Sequence, residues 1–206
     1  MSGEIKNYES GPVAAILMAS GFSRRFGLRN KLLVPFRGKA LARYTLELAA
    51  GFDFQGGIFF ICACDDVAAL AADLSRVKVV KNSAPEKGMH ESISLGLEAA
   101  GASPAYYLFF TCDQPFLYAF TVQRILDARQ QGCIVEPRCK GKSGNPCLFS
   151  VSFRDELLSL GEGETPKLIK KRNSQALISV EVSNSIILED IDDEETLERL
   201  ELSNLV

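Results

Sequence analysis

Histidine is nearly absent from this chain, and other common signatures are missing. One histidine, His90, occurs among 206 residues, so a serine–histidine triad elsewhere is excluded. We expect His90 to have no catalytic role. No apolar stretch approaches the length of a membrane span, so we expect no contact with a membrane. The polar start MSGEIKNYES lacks the apolar segment of a signal peptide, which predicts a cytoplasmic protein with a flexible tail over residues 1–11.

The chain also lacks a positive net charge and any C-x-x-C pair. Its net charge of −3 argues against a nucleic-acid partner and restricts any anion site to a local basic patch. Its six cysteines lack the spacing of zinc ribbons and thioredoxins. We interpret them as reduced core thiols, with a metal cluster of Cys133, Cys139 and Cys147 as the alternative.

What the sequence does contain is an alternation of apolar runs and helical patterns. Strands are predicted at 13–19, 57–64, 77–82 and 106–112, and helices at 40–51, 65–74, 88–101 and 120–132, the last with Thr121 as its cap. This order predicts a Rossmann-like three-layer α/β sandwich with a mostly parallel sheet. After Cys133, the segments IVEP, PCLFSV, ALISVEV and SIILEDI are strand-like, and DDEETLERL predicts a helix. We expect one domain, residues 12–206, with a partly antiparallel C-terminal part.

A basic segment, MASGFSRRFGLRNK, follows the first predicted strand. Ligands bind at the carboxyl ends of strands in open α/β sheets, which is where this segment begins. The small residues Ala19, Ser20 and Gly21 would let backbone N–H groups approach an anion, and Arg25 and Lys31 would supply positive charge. The alternative is a solvated basic loop.

Acidic and small residues follow other predicted strands. In LFFTCDQP, Asp113 is placed to hold Mg²⁺ on a polyphosphate, unless it only stabilises its turn. Gly88 and Ser92 begin a helix that could bind phosphate or a base edge, or they are an ordinary helix start. Asp190 and Asp192, two residues apart, could complete a metal site with Asp113, or they cap the last helix.

Two familiar phosphate-binding motifs are absent. Gly21 and Gly27 stand six residues apart with no glycine between them, so the G-x-G-x-x-G fingerprint fails. The segment GKS at 141–143 resembles the end of a Walker A loop, but Glu136 occupies the position of its first glycine. An NAD(P)-dependent oxidoreductase is therefore disfavoured.

Four ordered segments resemble the MobA/MocA-like nucleotidyltransferases. ILMASGFSRRFGLRNKLLVPFRGKAL is similar to their L-A-A-G-x-S-x-R-x-G-x-x-K-L-L signature, and TCDQPFL to their D-Q-P segment. GKSGNPCLF is similar to R-G-H-P-V-L-F, and ILEDIDDEETLERL to D-I-D-T-P-E-D-L. Order and spacing agree over about residues 13–200. Within the family, the chain most resembles the molybdenum cofactor cytidylyltransferases, with Ser20 in place of an alanine and Asn145 in place of a histidine.

The resemblance implies a nucleotide-diphospho-sugar transferase-like fold and a Mg²⁺-dependent transfer of CMP from CTP to the terminal phosphate of molybdopterin. It implies roles for several groups of residues: Ala19, Ser20, Gly21, Arg25 and Lys31 for the triphosphate, Asp113 for the metal, 84–89 including Gly88 for the base, and Gly144, Asn145 and Pro146 for the acceptor. As the second metal ligand we choose Asp192, with Asp190 as the alternative. The resemblance also implies transient contact with a molybdoenzyme or its chaperone. A transferase using GTP or a sugar or other small phosphate, and a nucleotide-binding protein without turnover, remain alternatives.

Overall fold

Strands and helices alternate along the first two thirds of the chain in the computed structural model, which describes residues 11–21, 26 and 30–202. The strands are β1 (Val13–Ala19), β2 (Pro35–Phe36), β3 (Lys39–Ala40), β4 (Ile58–Cys62), β5 (Val77–Lys81), β6 (Tyr106–Thr111), β7 (Ile134–Cys139), β8 (Lys142–Ser143), β9 (Cys147–Ser150) and β10 (Leu177–Glu181). The helices are α1 (Leu41–Ala50), α2 (Asp65–Ala69), α3 (Met89–Ala100), α4 (Ala119–Asp127), α5 (Arg154–Leu158), α6 (Pro166–Arg172) and α7 (Glu194–Leu202).

Within the described residues, eight strands form one sheet in the order β10-β7-β9-β6-β1-β4-β5, with β8 paired to β7. The pairs β6–β1, β1–β4 and β4–β5 are parallel. Strand β9 runs antiparallel to both β6 and β7, while β10 is parallel to β7. The predicted mixed α/β fold, with a parallel first half and a partly antiparallel second half, is confirmed.

The central strand β1 is apolar throughout because both faces of the sheet are covered. Leu17 packs in one core cluster and Ile16 in the other. Helix α3 lies so close to β1 that a Cβ atom on Gly96 would stand 2.4 Å from Ile16 Cγ2. This close approach fixes the start of α3 beside the carboxyl end of β1, where the candidate site forms.

Two local predictions are wrong. Thr121 does not cap α4, because Tyr118 is the N-cap residue and the Thr121 amide donates to the Tyr118 carbonyl oxygen. The segment SIILEDI is not a strand. Its residues Ser185–Leu188 form a 3-10 turn in which the Asn184 side chain accepts the Ile186 amide, and its apolar side chains are buried. An apolar run here reflects burial without sheet pairing.

The remaining expectations concern cysteines, the tail and membrane contact. All six cysteines are free, and five of them are buried, in agreement with core thiols. Of the predicted tail, residues 1–10 lie outside the described part. No helix among the described residues combines the length and apolar character needed to cross a membrane.

Candidate active site

Two cavities lie at the carboxyl ends of the parallel strands and share Met18, Met89 and Thr111 in their walls. The small cavity, of about 290 Å³, lies between the end of β1 and the start of α3. The large cavity, of about 520 Å³, extends toward β9, α6 and the start of α7. The shared wall suits a reaction between a ligand in each cavity.

The small cavity gathers most of the residues expected to bind a nucleotide. Its lining includes Ala19, Ser20, Gly21, Lys31, Pro85, Gly88, Met89, Ser92 and Asp113. The Ser20 hydroxyl donates to the Ile61 carbonyl oxygen at 3.1 Å, so it is bonded to the neighbouring strand. Gly88 has φ of +98°, a conformation that favours glycine, and it precedes α3 directly. The turn after β1 therefore faces the start of a helix, an arrangement suited to an anion.

Asn82 organises one wall of the small cavity, although sequence reasoning missed it. This residue is 1% exposed. Its side-chain oxygen accepts the Ala84 amide at 2.9 Å, and its Nδ2 donates to Ser92 Oγ at 3.2 Å. Asn82 thus ties the 84–88 segment to α3. An asparagine directly after a predicted strand was the available signal, since such residues commonly bond the backbone two positions on.

Lys31 lies between two carboxylates at the mouth of the small cavity. Its Nζ atom is 2.7 Å from Asp113 Oδ2 and 2.7 Å from Asp192 Oδ1. Burial alone would lower the pKa of Lys31, but these two carboxylates outweigh it and hold that pKa above its ordinary value. Three residues separated widely in sequence thus form one charged centre, in which Lys31 stays protonated.

Gln114 holds a third carboxylate, that of Asp190, and was also missed by sequence reasoning. It is 2% exposed, and its Nε2 donates to Asp190 Oδ1 at 2.8 Å. Partial enclosure, together with the charges of Asp113 and Asp192, raises the pKa of Asp190 to about 6. Asp193 accepts the Thr196 amide, so the helix-capping alternative applies to it.

The large cavity contains part of the predicted acceptor segment and a set of lysines. Gly144 and Asn145 line it, and Pro146 follows Asn145 through a cis peptide bond. A Cβ atom on Gly144 would stand 2.8 Å from Leu188 Cδ2, so this position needs glycine for close packing. Lys142, Lys167 and Lys170 also line this cavity and were not singled out from the sequence.

The family model described as the MobA-like NTP transferase domain matches residues 15–176. The chain belongs to the MobA-like NTP transferase family. The predicted family resemblance is thereby confirmed. The matched range includes Lys31 and Asp113 of the charged centre, and Asp192 follows it in the chain.

Known proteins resemble this MobA-like chain along nearly its whole length. Nicotine blue oxidoreductase of Paenarthrobacter nicotinovorans is 26% identical over 197 residues, covering 91% of this chain and 96% of that protein. Rv0371c of Mycobacterium tuberculosis H37Rv superposes with a TM-score of 0.80 at 23% identity, covering 94% of this chain and 100% of that protein. The 4-diphosphocytidyl-2C-methyl-D-erythritol synthase of Anaerococcus prevotii superposes with a TM-score of 0.74 at 14% identity, covering 94% of this chain and 96% of that protein.

The donor set of the charged centre fits a hard divalent cation. Asp113 Oδ1 is buried and has no hydrogen-bond partner within the described part of the chain. No group of three or more histidine, cysteine or acidic side chains in that part could hold a metal by itself. Mg²⁺ commonly uses only one or two carboxylates and completes its coordination with waters and substrate phosphates. Asp113 and Asp192 match that pattern, and Rv0371c has been solved with manganese.

Arg25, His90 and one group of cysteines stand apart from this account. Arg25 lies outside the described residues, so its role stays a prediction. His90 is half-buried in the first turn of α3 and is not among the residues that line the two cavities. The metal cluster of Cys133, Cys139 and Cys147 gains no support, because no group of three or more histidine, cysteine or acidic side chains in the described part of the chain is placed to hold a metal ion.

Proposed function

We propose that this protein transfers CMP from CTP to the terminal phosphate of molybdopterin and releases pyrophosphate. The observation that carries the proposal is the Lys31–Asp113–Asp192 centre, with Lys31 and Asp113 in the wall of the small cavity and Asp192 in that of the large one. A nucleoside triphosphate in the small cavity would present its α-phosphorus there. An acceptor in the large cavity would reach it from the other side.

The chemistry needs positioned charge more than a base. An acceptor phosphate oxygen attacks the α-phosphorus in line, a new P–O bond forms, and the bond to the β-phosphate breaks. The nucleophile is already an anion, which suits a chain with one histidine. Lys31, joined by Arg25 in our hypothesis, neutralises charge on the triphosphate, and the backbone after β1 orients it.

A divalent cation would be held by Asp113 and Asp192. When bound, Mg²⁺ would neutralise phosphate charge and help to align the two substrates. Both carboxylates currently bond Lys31, so that side chain would turn from them toward the triphosphate. Gln114 holds Asp190 at 2.8 Å beside this pair, which favours Asp192 as the second ligand.

The choice of CTP rests on the turn MASG and on the second loop, residues 84–89, which support the cytidylyl branch. Pro85, Gly88 and Met89 of that loop line the small cavity. The synthase of A. prevotii, whose name specifies a diphosphocytidyl product, shares the fold. Molybdopterin as acceptor follows from the sequence resemblance, as does a transient contact with a molybdoenzyme or its chaperone.

A second candidate is an oxidoreductase acting on nicotine blue. One observation favours it: the curated relative at 26% identity is named nicotine blue oxidoreductase. Against it stand the missing G-x-G-x-x-G fingerprint and the charged centre of Lys31 with two carboxylates, which hydride transfer does not require.

The deciding experiment is a donor panel. Pyrophosphate release is measured with CTP, GTP, ATP and UTP, each with and without molybdopterin and with Mg²⁺ present. In parallel, NADH and NADPH oxidation is followed with nicotine blue. We expect release that is fastest with CTP and that requires molybdopterin. Faster pyrophosphate release with GTP would show that GTP, and not CTP, is the nucleotide donor. Oxidation of NADH or NADPH that depends on nicotine blue, without pyrophosphate release, would establish the oxidoreductase instead.

A further inference from the structure

The large cavity has walls of opposite charge. Glu189, Asp190, Asp192 and Asp193 line one side, near the charged centre, while Lys142, Lys167 and Lys170 line the side formed by β8 and α6. Each acid has a partner: Glu189 pairs with Arg199, Asp190 accepts from Gln114, Asp192 pairs with Lys31, and Asp193 accepts the Thr196 amide. The lysines have no part in the transfer chemistry described above, so this wall calls for a ligand group of its own.

Lys170 is the best-fixed of the three lysines. Its side chain is 13% exposed, and its Nζ donates to Glu136 Oε2 at 2.6 Å and to Cys147 Sγ at 3.6 Å. Glu136, whose side chain is 2% exposed, also accepts from Arg138 Nη2 at 3.0 Å. Neither Glu136 nor Arg138 lines the cavity, so the positive charge that this wall presents comes from Lys142, Lys167 and the paired Lys170.

Stability alone gives a weak reason for this arrangement. Desolvation of a buried ion pair offsets much of its Coulomb attraction, and apolar pairs of similar size often serve as well. Glu136 is absent from the cavity lining, whereas Lys170 contributes to it. The acid therefore acts as an anchor that holds one ammonium group at the cavity surface.

The ammonium group of Lys170 lies at other strands of the sheet than the charged centre. Its partners Glu136 and Cys147 are on β7 and β9, whereas Asp113 follows β6. The lysines are therefore placed for a different part of the acceptor from the phosphate that attacks beside Asp113.

We propose that Lys170, anchored by Glu136 and flanked by Lys142 and Lys167, binds a second anionic group of the acceptor, distinct from the attacking phosphate. The inference rests on the proposed function in taking the large cavity as the acceptor site. The acceptor class is thus a molecule with two separate anionic groups.

The test is a titration with inorganic phosphate, and separately with acetate, followed by amide chemical shifts in two-dimensional NMR. Neither nucleotide nor metal is present, so a failure to bind these anions can be distinguished from a failure of nucleotidyl transfer. In the wild type we expect shifts at residues 142–147 and 166–170. Lys170→Met should weaken this binding by about tenfold or more, since one charged hydrogen bond is lost.

Lys170→Met leaves Glu136 partly unpaired and could unfold the protein. The double variant Glu136→Gln/Lys170→Met removes both charges and should lose anion binding while keeping the fold. Lys171→Met, an exposed neighbour outside the cavity lining, is the matched control and should bind as the wild type does. Unchanged binding in the folded double variant, or shifts confined to residues 19–21 and 88–92, would overturn the proposal. The tighter of the two probes identifies the group.

Discussion

The small and large cavities are built by different means. The small cavity is shaped by backbone and small neutral side chains, with Ser20 and Asn82 bonded to neighbouring segments. The large cavity is lined by charged side chains from elements far apart in the chain, such as Lys142, Lys170 and Asp192. A wall made of backbone suits a ligand part common to a whole family, whereas a wall of side chains can change with the acceptor.

Lys31, Asp113 and Asp192 form the boundary between these regions. Changes there should affect both substrates, while changes deeper in either cavity should affect one. The following predictions use this difference, from the largest expected effect to the smallest.

Asp113→Asn should nearly abolish transfer. The variant keeps the side-chain size but removes one of two carboxylates in the proposed metal site, which is worth several kcal/mol of transition-state stabilisation, or about 10³-fold in rate. Pyrophosphate release against Mg²⁺ concentration measures this, with thermal unfolding as the control for folding. A folded variant with near-normal turnover would show that Asp113 only stabilises its turn.

Lys31→Met should have opposite effects on two measurements. Turnover should fall about 10²–10³-fold, because a cation that stabilises transition-state charge is lost. Mn²⁺ binding without nucleotide, followed by electron paramagnetic resonance, should tighten, since no ammonium then lies 2.7 Å from Asp113 and Asp192. Weaker Mn²⁺ binding in the variant would show that Lys31 does not compete with the metal for these carboxylates.

Gly144→Ala should act on the acceptor side alone. Its Cβ atom would meet Leu188 side-chain atoms at 2.8–3.0 Å, so either the 185–188 turn or Gly144 must shift. Such overpacking costs about 1–3 kcal/mol of unfolding free energy. We expect a raised KM for the acceptor and an unchanged KM for the nucleotide. Gly161→Ala, whose Cβ atom would stand 3.6 Å from Glu164 Oε2, is the matched control. Equal effects on both KM values would remove the distinction between the cavities.

The raised pKa of Asp190 should make the thermal stability of the metal-free protein depend modestly on pH. Folding raises that pKa to about 6, so the stabilisation from the neutral acid is complete at low pH and is lost as pH rises through about 6. The thermal midpoint should therefore fall between pH 5 and 7 by more in the wild type than in Asp190→Asn. Identical pH profiles for the two proteins would contradict this assignment.

Most of the small cavity was predictable from sequence. Ala19 ends β1, Ser20 and Gly21 follow it, and Asp113 stands two residues after the end of β6. The carboxyl ends of parallel strands meet at one edge of a sheet. The start of α3 is similarly marked by Gly88. Local pattern sufficed because each of these residues is placed by its own strand or helix.

The large cavity was predicted only in part. Gly144 and Asn145 came from a family resemblance, but Lys170 lies 34 residues from Glu136, and no local pattern links them. Glu136 sits in a strand-like run where an acid looks like an ordinary exposed residue. The strand prediction for SIILEDI was wrong for a related reason, since the burial of Ile186 and Ile187 requires no strand pairing.

The most direct test of the central claim follows the α-phosphorus itself. CTP labelled at the α-phosphate is mixed with enzyme, Mg²⁺ and molybdopterin in a single turnover, and the products are separated. If the two cavities serve one transfer across the Lys31 centre, the label moves to the acceptor with one pyrophosphate released per label transferred. Label recovered as free CMP, or remaining in CTP while the acceptor is consumed, would contradict the account.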